Sequence, residues 1–201
     1  MYEYIRNKPE IYRNLHVTSK LGAAFDASVA SHLGLTGMGI DISRVSIRSN
    51  NLGQRSRSMM NFFMEHRFYF FQNSVDITPG FAANYFSDFG THSFPGIDLG
   101  WQITTNYRLY ANTGMTFRIP TFTDLYYSDK TTLGNIELKP EEAISNEIGI
   151  RFSSPKVTAS LALFSRKAKN LIDFVKDTND DSIPFQAENI QHVNTSGIDL
   201  E

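Results

Sequence analysis

What most limits this chain is an alternation of period two that returns along nearly its whole length. From Arg108 to Phe117, Leu109, Ala111, Thr113, Met115 and Phe117 share one face, while Arg108, Asn112 and Thr116 share the other with Arg118 beyond them. From Ile144 to Phe152, Ile144, Ile148, Ile150 and Phe152 lie opposite Ser145, Glu147, Gly149 and Arg151, with Asn146 the one polar residue on the apolar side. Successive strand side chains point to opposite faces, so this pattern specifies half-apolar strands and excludes amphipathic helices.

The same pattern recurs elsewhere. Residues 1 to 15 carry no clear signal. Leu21, Ala23, Phe25, Ala27 and Val29 form an apolar face that ends at His32-Leu33-Gly34, and a less regular strand runs from Gly37 to Arg48. Ser49 to Ser58 is polar and reads as a loop. Phe62, Met64, His66, Phe68 and Phe70 share a parity, and Gln72 to Ser74 turns the chain. Val75, Ile77, Pro79, Phe81, Ala83 and Tyr85 follow; Pro79 and Gly80 predict an edge position or a bulge. Ser87 to Ser93 reads as a loop, and Ile97 to Ile103 and Val157 to Ser165 as strands with short turns after them or before them. Asp177 to Ser182 reads as an acidic loop, and Asn189 to Glu201 as a last strand. About nine strands result, and short connections alternate with long polar ones, as in an outer-membrane barrel. The charged residues Asp26, Glu65, Arg67, Asp76, Asp98, Arg108, Glu147 and Arg151 all fall on the polar parity.

One loop stands apart. It holds Phe117-Arg118-Ile119-Pro120-Thr121-Phe122-Thr123-Asp124-Leu125-Tyr126-Tyr127, then Gly134-Asn135, then Leu138-Lys139-Pro140-Glu141-Glu142, and the next strand carries Glu147-Ile148-Gly149. These ordered parts resemble the barrel signature of TonB-dependent outer-membrane receptors, and within that family the cobalamin-receptor-like branch. Ile136 stands where the family usually has Pro. The weaker similarity runs from about His16 to Glu201. The resemblance implies an all-β antiparallel meander that is a fragment of a 22-stranded transmembrane barrel in the cell outer membrane. Residues 1–201 then form a partial barrel domain, with neither a plug domain nor a signal peptide in the sequence. It implies uptake of a scarce nutrient: a corrinoid such as cobalamin, or an iron-siderophore or haem. The implied partners are outer-membrane lipid, the rest of the barrel, a plug domain, the TonB complex acting through that plug, and the small-molecule ligand. The competing reading is a soluble all-β binding module, an adhesin or carbohydrate-binding sandwich, in which the apolar faces meet each other.

Within the signature, Arg118, Asp124 and Glu147 read as a polar set packing the loop base or the barrel wall. Pro120, Asn135, Lys139 and Pro140 read as structural members. Tyr126 and Tyr127, with Asp124, are the loop residues positioned to touch a ligand; the two rings alternatively pack on the rim.

Composition narrows the remaining choices. The chain has 201 residues and no Cys, which excludes disulfides and thiolate metal sites. A net charge of -2 offers no nucleic-acid footprint. The N-terminus has no apolar export segment, so Met1 is not expected to be the natural start of an exported protein. The five His lack ligand spacing, Asp177, Asp180 and Asp181 form a solvated turn or an oxygen-ligand site, and no nucleophile, base and oxyanion set indicates an enzyme. No apolar run reaches helical membrane-spanning length, a test that strands escape.

Overall fold

Strands with one apolar and one polar face must pair their backbone groups sideways. The computed structural model, which describes residues 2–5, 13–176 and 183–201, does this with a single sheet of eleven strands. They are β1 (Tyr2–Ile5), β2 (Arg13–Ser31), β3 (Gly34–Ser49), β4 (Gly53–Phe70), β5 (Val75–Phe86), β6 (Gly90–Gln102), β7 (Tyr107–Arg118), β8 (Thr132–Leu133), β9 (Glu141–Ser153), β10 (Thr158–Val175) and β11 (Phe185–Leu200). One short helix, α1 (Phe122–Tyr126), lies between β7 and β8. All strands but β1 and β8 are long, which matches the expected nine. They form an antiparallel meander in the order β1 to β7, then β9, β10 and β11. Only β8 is parallel: two residues of the signature loop add to β11 through Phe185↔Thr132 and Gln186↔Leu133. Among the described residues there is no second sheet, so the sandwich reading has no facing layer. Asp177, Asp180 and Asp181 lie outside the described residues.

Register keeps the apolar parities together. Phe68, Ile77, Leu99, Ala111, Ile148, Leu163 and Ile198 form one row across seven strands. Among the described residues nothing covers it: Ile148 is 58% exposed and Ile198 70%. At the end of the sheet away from the signature loop, the same face carries Phe70, Trp101, Tyr107 and Phe152, with the last two rings 5.1 Å apart. An uncovered apolar band with aromatic residues at its margin is the pattern expected of the outer face of a transmembrane barrel wall.

Three expectations are corrected. Ser49 to Ser58 is not a loop: the chain reverses at residues 50–52, where Ser49 Oγ accepts the N–H groups of Asn51 and Leu52, and β4 begins at Gly53. Likewise Ser87 to Ser93 contains only a turn at residues 87–89 before β6 begins. Polarity at these places marks strands that continue above the apolar band, where neither face needs to be apolar. The alternation of short and long connections therefore rests on the loop at residues 119–140 alone among the fully described connections. The third correction concerns Pro79, which lies in a central strand. The β4–β5 ladder skips Thr78 and Pro79 and resumes in the same register, so no residue is inserted and there is no bulge. Proline has no N–H to donate, and Arg67 Nε bridges the gap to Thr78 Oγ1 at 3.3 Å.

Phe117 also departs from its expected face. The β6–β7 ladder ends at Gly96↔Gly114, and Pro95 offers no donor beyond it. The Phe117 ring fills the opening, 4.0 Å from the His92 ring and 5.4 Å from that of Phe94. The band makes a direct prediction: in the full-length protein folded in lipid, Ile148→Arg lowers the free energy of unfolding by about 2–4 kcal/mol. Ser145→Arg, on the opposite face, stays within about 0.5 kcal/mol. Urea titration followed by circular dichroism measures both.

Candidate functional site

The loop that joins β7 to β9 is built from its two ends inward. Strand β7 stops at Arg118, and Pro120 two residues later cannot extend a ladder. Thr121 then caps α1. Its hydroxyl accepts the Asp124 N–H at 3.1 Å, while the Asp124 carboxylate accepts the Thr121 N–H at 2.8 Å. This reciprocal capping satisfies two otherwise orphaned donors. The return path crosses the helix closely. Gly134 N–H reaches Tyr127 O at 2.6 Å, and Asn135 N–H reaches Asp124 O at 2.8 Å. A Cβ on Gly134 would stand 2.8 Å from backbone atoms of Leu125 and Tyr126, so only glycine fits. The Asn135 side chain accepts the Glu137 N–H and turns the chain back toward β9.

Ion pairs then close the base. Arg118 makes a two-pronged contact with Glu141 through Nε and Nη2, and its Nη1 lies 3.4 Å from Asp124 Oδ2. Such a fork fixes geometry as well as charge. Glu141 also accepts the Ile172 N–H at 2.8 Å, which ties the loop base to β10. Glu147, read from the sequence as part of one polar set with Arg118 and Asp124, lies farther along the same polar face, opposite Asn112, and the Arg118 fork engages Glu141. Glu141 stands before Ile144, the first outward apolar residue of β9. The Arg118 hydrogen bond, working against partial burial, holds its carboxyl below the usual glutamate range. In the loop, burial pushes the Asp129 carboxyl up, but the Thr131 and Thr132 N–H groups and the Tyr127 hydroxyl bring it below its ordinary value.

A second set of contacts fastens the loop to distant strands. Arg57 on β4, 7% exposed, pairs with Asp88 at 2.8 Å and donates to the buried Pro120 carbonyl at 3.0 Å. The Lys139 backbone donates to Asn189 Oδ1 and accepts from its Nδ2, so the main chain of Lys139 does the joining. The Pro140 carbonyl accepts from Asn170 Nδ2. Asn51 holds Ser128 in both directions. Beneath lies a small core of Leu125, Leu138 and Ala187, packed against Phe89, Tyr126, Ile172 and Phe174. The Tyr126 ring lies under the Arg55 guanidinium, 4.0 Å from its centroid, and the Tyr127 hydroxyl joins Asn14 to Asp129. Both rings are half-buried. The sequence reading missed Arg57, Asp88, Asn170 and Asn189; periodicity cannot signal pairs this far apart in the chain.

The polar face below the loop is itself linked across strands. Arg108 reaches Asp76 over Gly100 at 2.5 Å, a path that a side chain on residue 100 would block. Gly80, Gly96 and Gly114 form one cross-strand row and leave an open hollow of about 300 Å³ beside Glu65, Asp98 and Asn112.

Three outcomes test this architecture. Arg57→Ala destabilises the full-length protein by about 1.5–3 kcal/mol, the range for hydrogen bonds to charged groups. Gly134→Ala loosens the loop, read as faster proteolysis within residues 119–140. Because the Glu141 and Asp129 carboxyls are lowered on folding, their stabilisation is complete above about pH 4.3 and 3.9, the ordinary values. It is lost as pH falls through the lowered folded values. Thermal unfolding between pH 6 and pH 3 shows that acid limb, and Glu141→Gln flattens it.

Known proteins are similar to this chain in sequence or in fold. The vitamin B12 transporter BtuB of Vibrio vulnificus is 29% identical over 133 residues, covering 66% of this chain and 21% of that protein. BtuB of Photobacterium profundum is 30% identical over 113 residues, 56% of this chain and 18% of that protein. The chain thus spans about a fifth of the curated relatives it matches. Among solved structures, the siderophore receptor PirA of Pseudomonas aeruginosa superposes with a TM-score of 0.79 at 17% identity, over 94% of this chain and 37% of that one. A point mutant of the ferric enterobactin receptor PfeA of the same organism, in complex with enterobactin, gives 0.78 at 18% identity, over 94% and 34%. The family model for the TonB dependent receptor-like β-barrel matches residues 4–201, and the chain belongs to that family.

Proposed function

We propose that this chain forms part of the wall and mouth of an outer-membrane receptor that imports a corrinoid such as cobalamin. The observation that carries the proposal is a two-faced sheet whose apolar side has no partner among the described residues and whose polar side carries a loop fastened over one end. The first side suits lipid, and the second suits a lumen with a defined entrance. The corrinoid is favoured over an iron-siderophore or haem because the curated relatives at 27–30% identity are vitamin B12 transporters. The siderophore receptors resemble the chain in fold alone. The same reading assigns a plug domain and the remaining barrel strands as partners, and the TonB complex as the energy source. The protein's work is then transport, with no bond made or broken.

Ligand contact is placed at Tyr126 and Tyr127, whose half-exposed rings stand at the mouth. Asp124, already engaged with Thr121 and Arg118, sets where they stand. The test is uptake of labelled cobalamin by cells carrying the full-length protein, against a ferric siderophore and against cells lacking TonB. TonB-dependent cobalamin uptake supports the proposal; uptake of only the siderophore contradicts the choice of ligand. Tyr126→Ala raises the half-saturating cobalamin concentration ~10-fold, equivalent to about 1.4 kcal/mol, at unchanged surface level.

A further inference from the structure

On the outward, apolar-parity face, the charge pattern changes abruptly where β9, β10 and β11 approach the loop end. Two cross-strand rows, Ile144–Lys167–Asn194 and Glu142–Lys169–His192, lie on that face above Ile148, Leu163 and Ile198. They line a groove of about 310 Å³ whose floor includes Met115 and Ile144, continuous with the apolar band. Glu142 holds Lys169 at 2.9 Å, whereas Lys167 has no carboxylate partner among the described residues. The next acidic pair, Asp173 and Glu188, is four positions farther from the band. These lysines therefore stand on the outside of the wall, with ammonium groups at the edge of an apolar surface and an apolar trough beside them.

We infer that this groove binds an anionic lipid, with its phosphate held by Lys167 and Lys169 and an acyl chain laid over Met115 and Ile144. Charge complementarity selects the headgroup: two ammonium groups against one carboxylate leave the groove cationic. Continuity with the band selects a lipid over a free anion, because the floor offers a phosphate ion nothing. Long lysine side chains at a membrane margin also direct their charges toward the headgroup layer. The Glu142 pair serves to orient Lys169 along the groove. The inference rests on the reading of this face as lipid-facing.

The test uses the full-length protein in nanodiscs of phosphatidylglycerol and phosphatidylcholine with identical acyl chains. Retained lipids are counted by native mass spectrometry. Wild type retains phosphatidylglycerol preferentially, and Lys167→Gln with Lys169→Gln lowers the preference ~5-fold per lysine. Lys167→Arg with Lys169→Arg keeps it, which separates charge from loss of fold. An unchanged preference in the glutamine variant overturns the inference, as does full displacement of the lipid by millimolar inorganic phosphate. Quenching by brominated lipid isolates the underlying reading, taken as the part of the fluorescence loss that Trp101→Phe removes. If Trp101 is quenched and the lysines have no effect, the groove alone is wrong. If Trp101 is not quenched, the lipid-facing wall is wrong as well.

Discussion

The fold is arranged around one need: a sheet with an uncovered apolar face must pair its backbone groups within itself. A sheet with one apolar face in hydrocarbon has no solvent to accept its unpaired groups, so each strand must find a neighbour. The long strands do so in an almost unbroken ladder from β2 to β11. Where a donor is missing, at Pro79 and Pro95, the molecule answers locally. Arg67 spans the first gap and the Phe117 ring closes the second. The strands also outrun the bilayer. A tilted membrane strand needs about 9–11 residues, and β4 has 18. Its surplus is the polar segment from Gly53 to Ser58, which leaves hydrocarbon and supplies Arg55 and Arg57 to the loop.

That surplus explains why the loop keeps one conformation. A connection of some twenty residues is expensive to order by its own contacts. Here its ends are clamped by Arg118 and Glu141, its turn is fixed by Thr121 and Asp124, and its middle is pressed against α1 at Gly134. Strands β4, β10 and β11 contribute the remaining anchors through Arg57, Asn170 and Asn189. The conspicuous residues of the signature thus share one physical purpose: they hold a long segment across the end of a sheet, where Tyr126 and Tyr127 occupy the rim.

Much of this was legible in the chain itself. Period-two alternation located all nine long strands and assigned faces to seven of them, because burial on one side leaves a mark at every second residue. The fold class and the special status of residues 117–142 were readable for the same reason and from the ordered motif. What stayed hidden was of two kinds. Strand ends were misplaced at Ser49 to Ser58 and Ser87 to Ser93, since strands beyond the membrane lose the alternation that reveals them. Long-range partners were also invisible. Nothing local distinguishes Glu141 from Glu142 or Glu147 as the mate of Arg118; register with β7 decides it by placing Glu141 opposite Arg118.

The central claim, that one parity of this sheet meets lipid and the other a polar lumen, is tested most directly by a cysteine scan of β9. The 201 residues contain no Cys, and with any cysteine elsewhere in the full-length protein replaced, spin labels are placed singly at residues 144 to 150 in vesicles. The account predicts that accessibility to oxygen, which concentrates in hydrocarbon, peaks at 144, 146, 148 and 150. Accessibility to a water-soluble nickel chelate should peak at 145, 147 and 149. Uniform nickel accessibility along both parities would contradict it, because an apolar face that water reaches cannot be the outer wall of a membrane barrel.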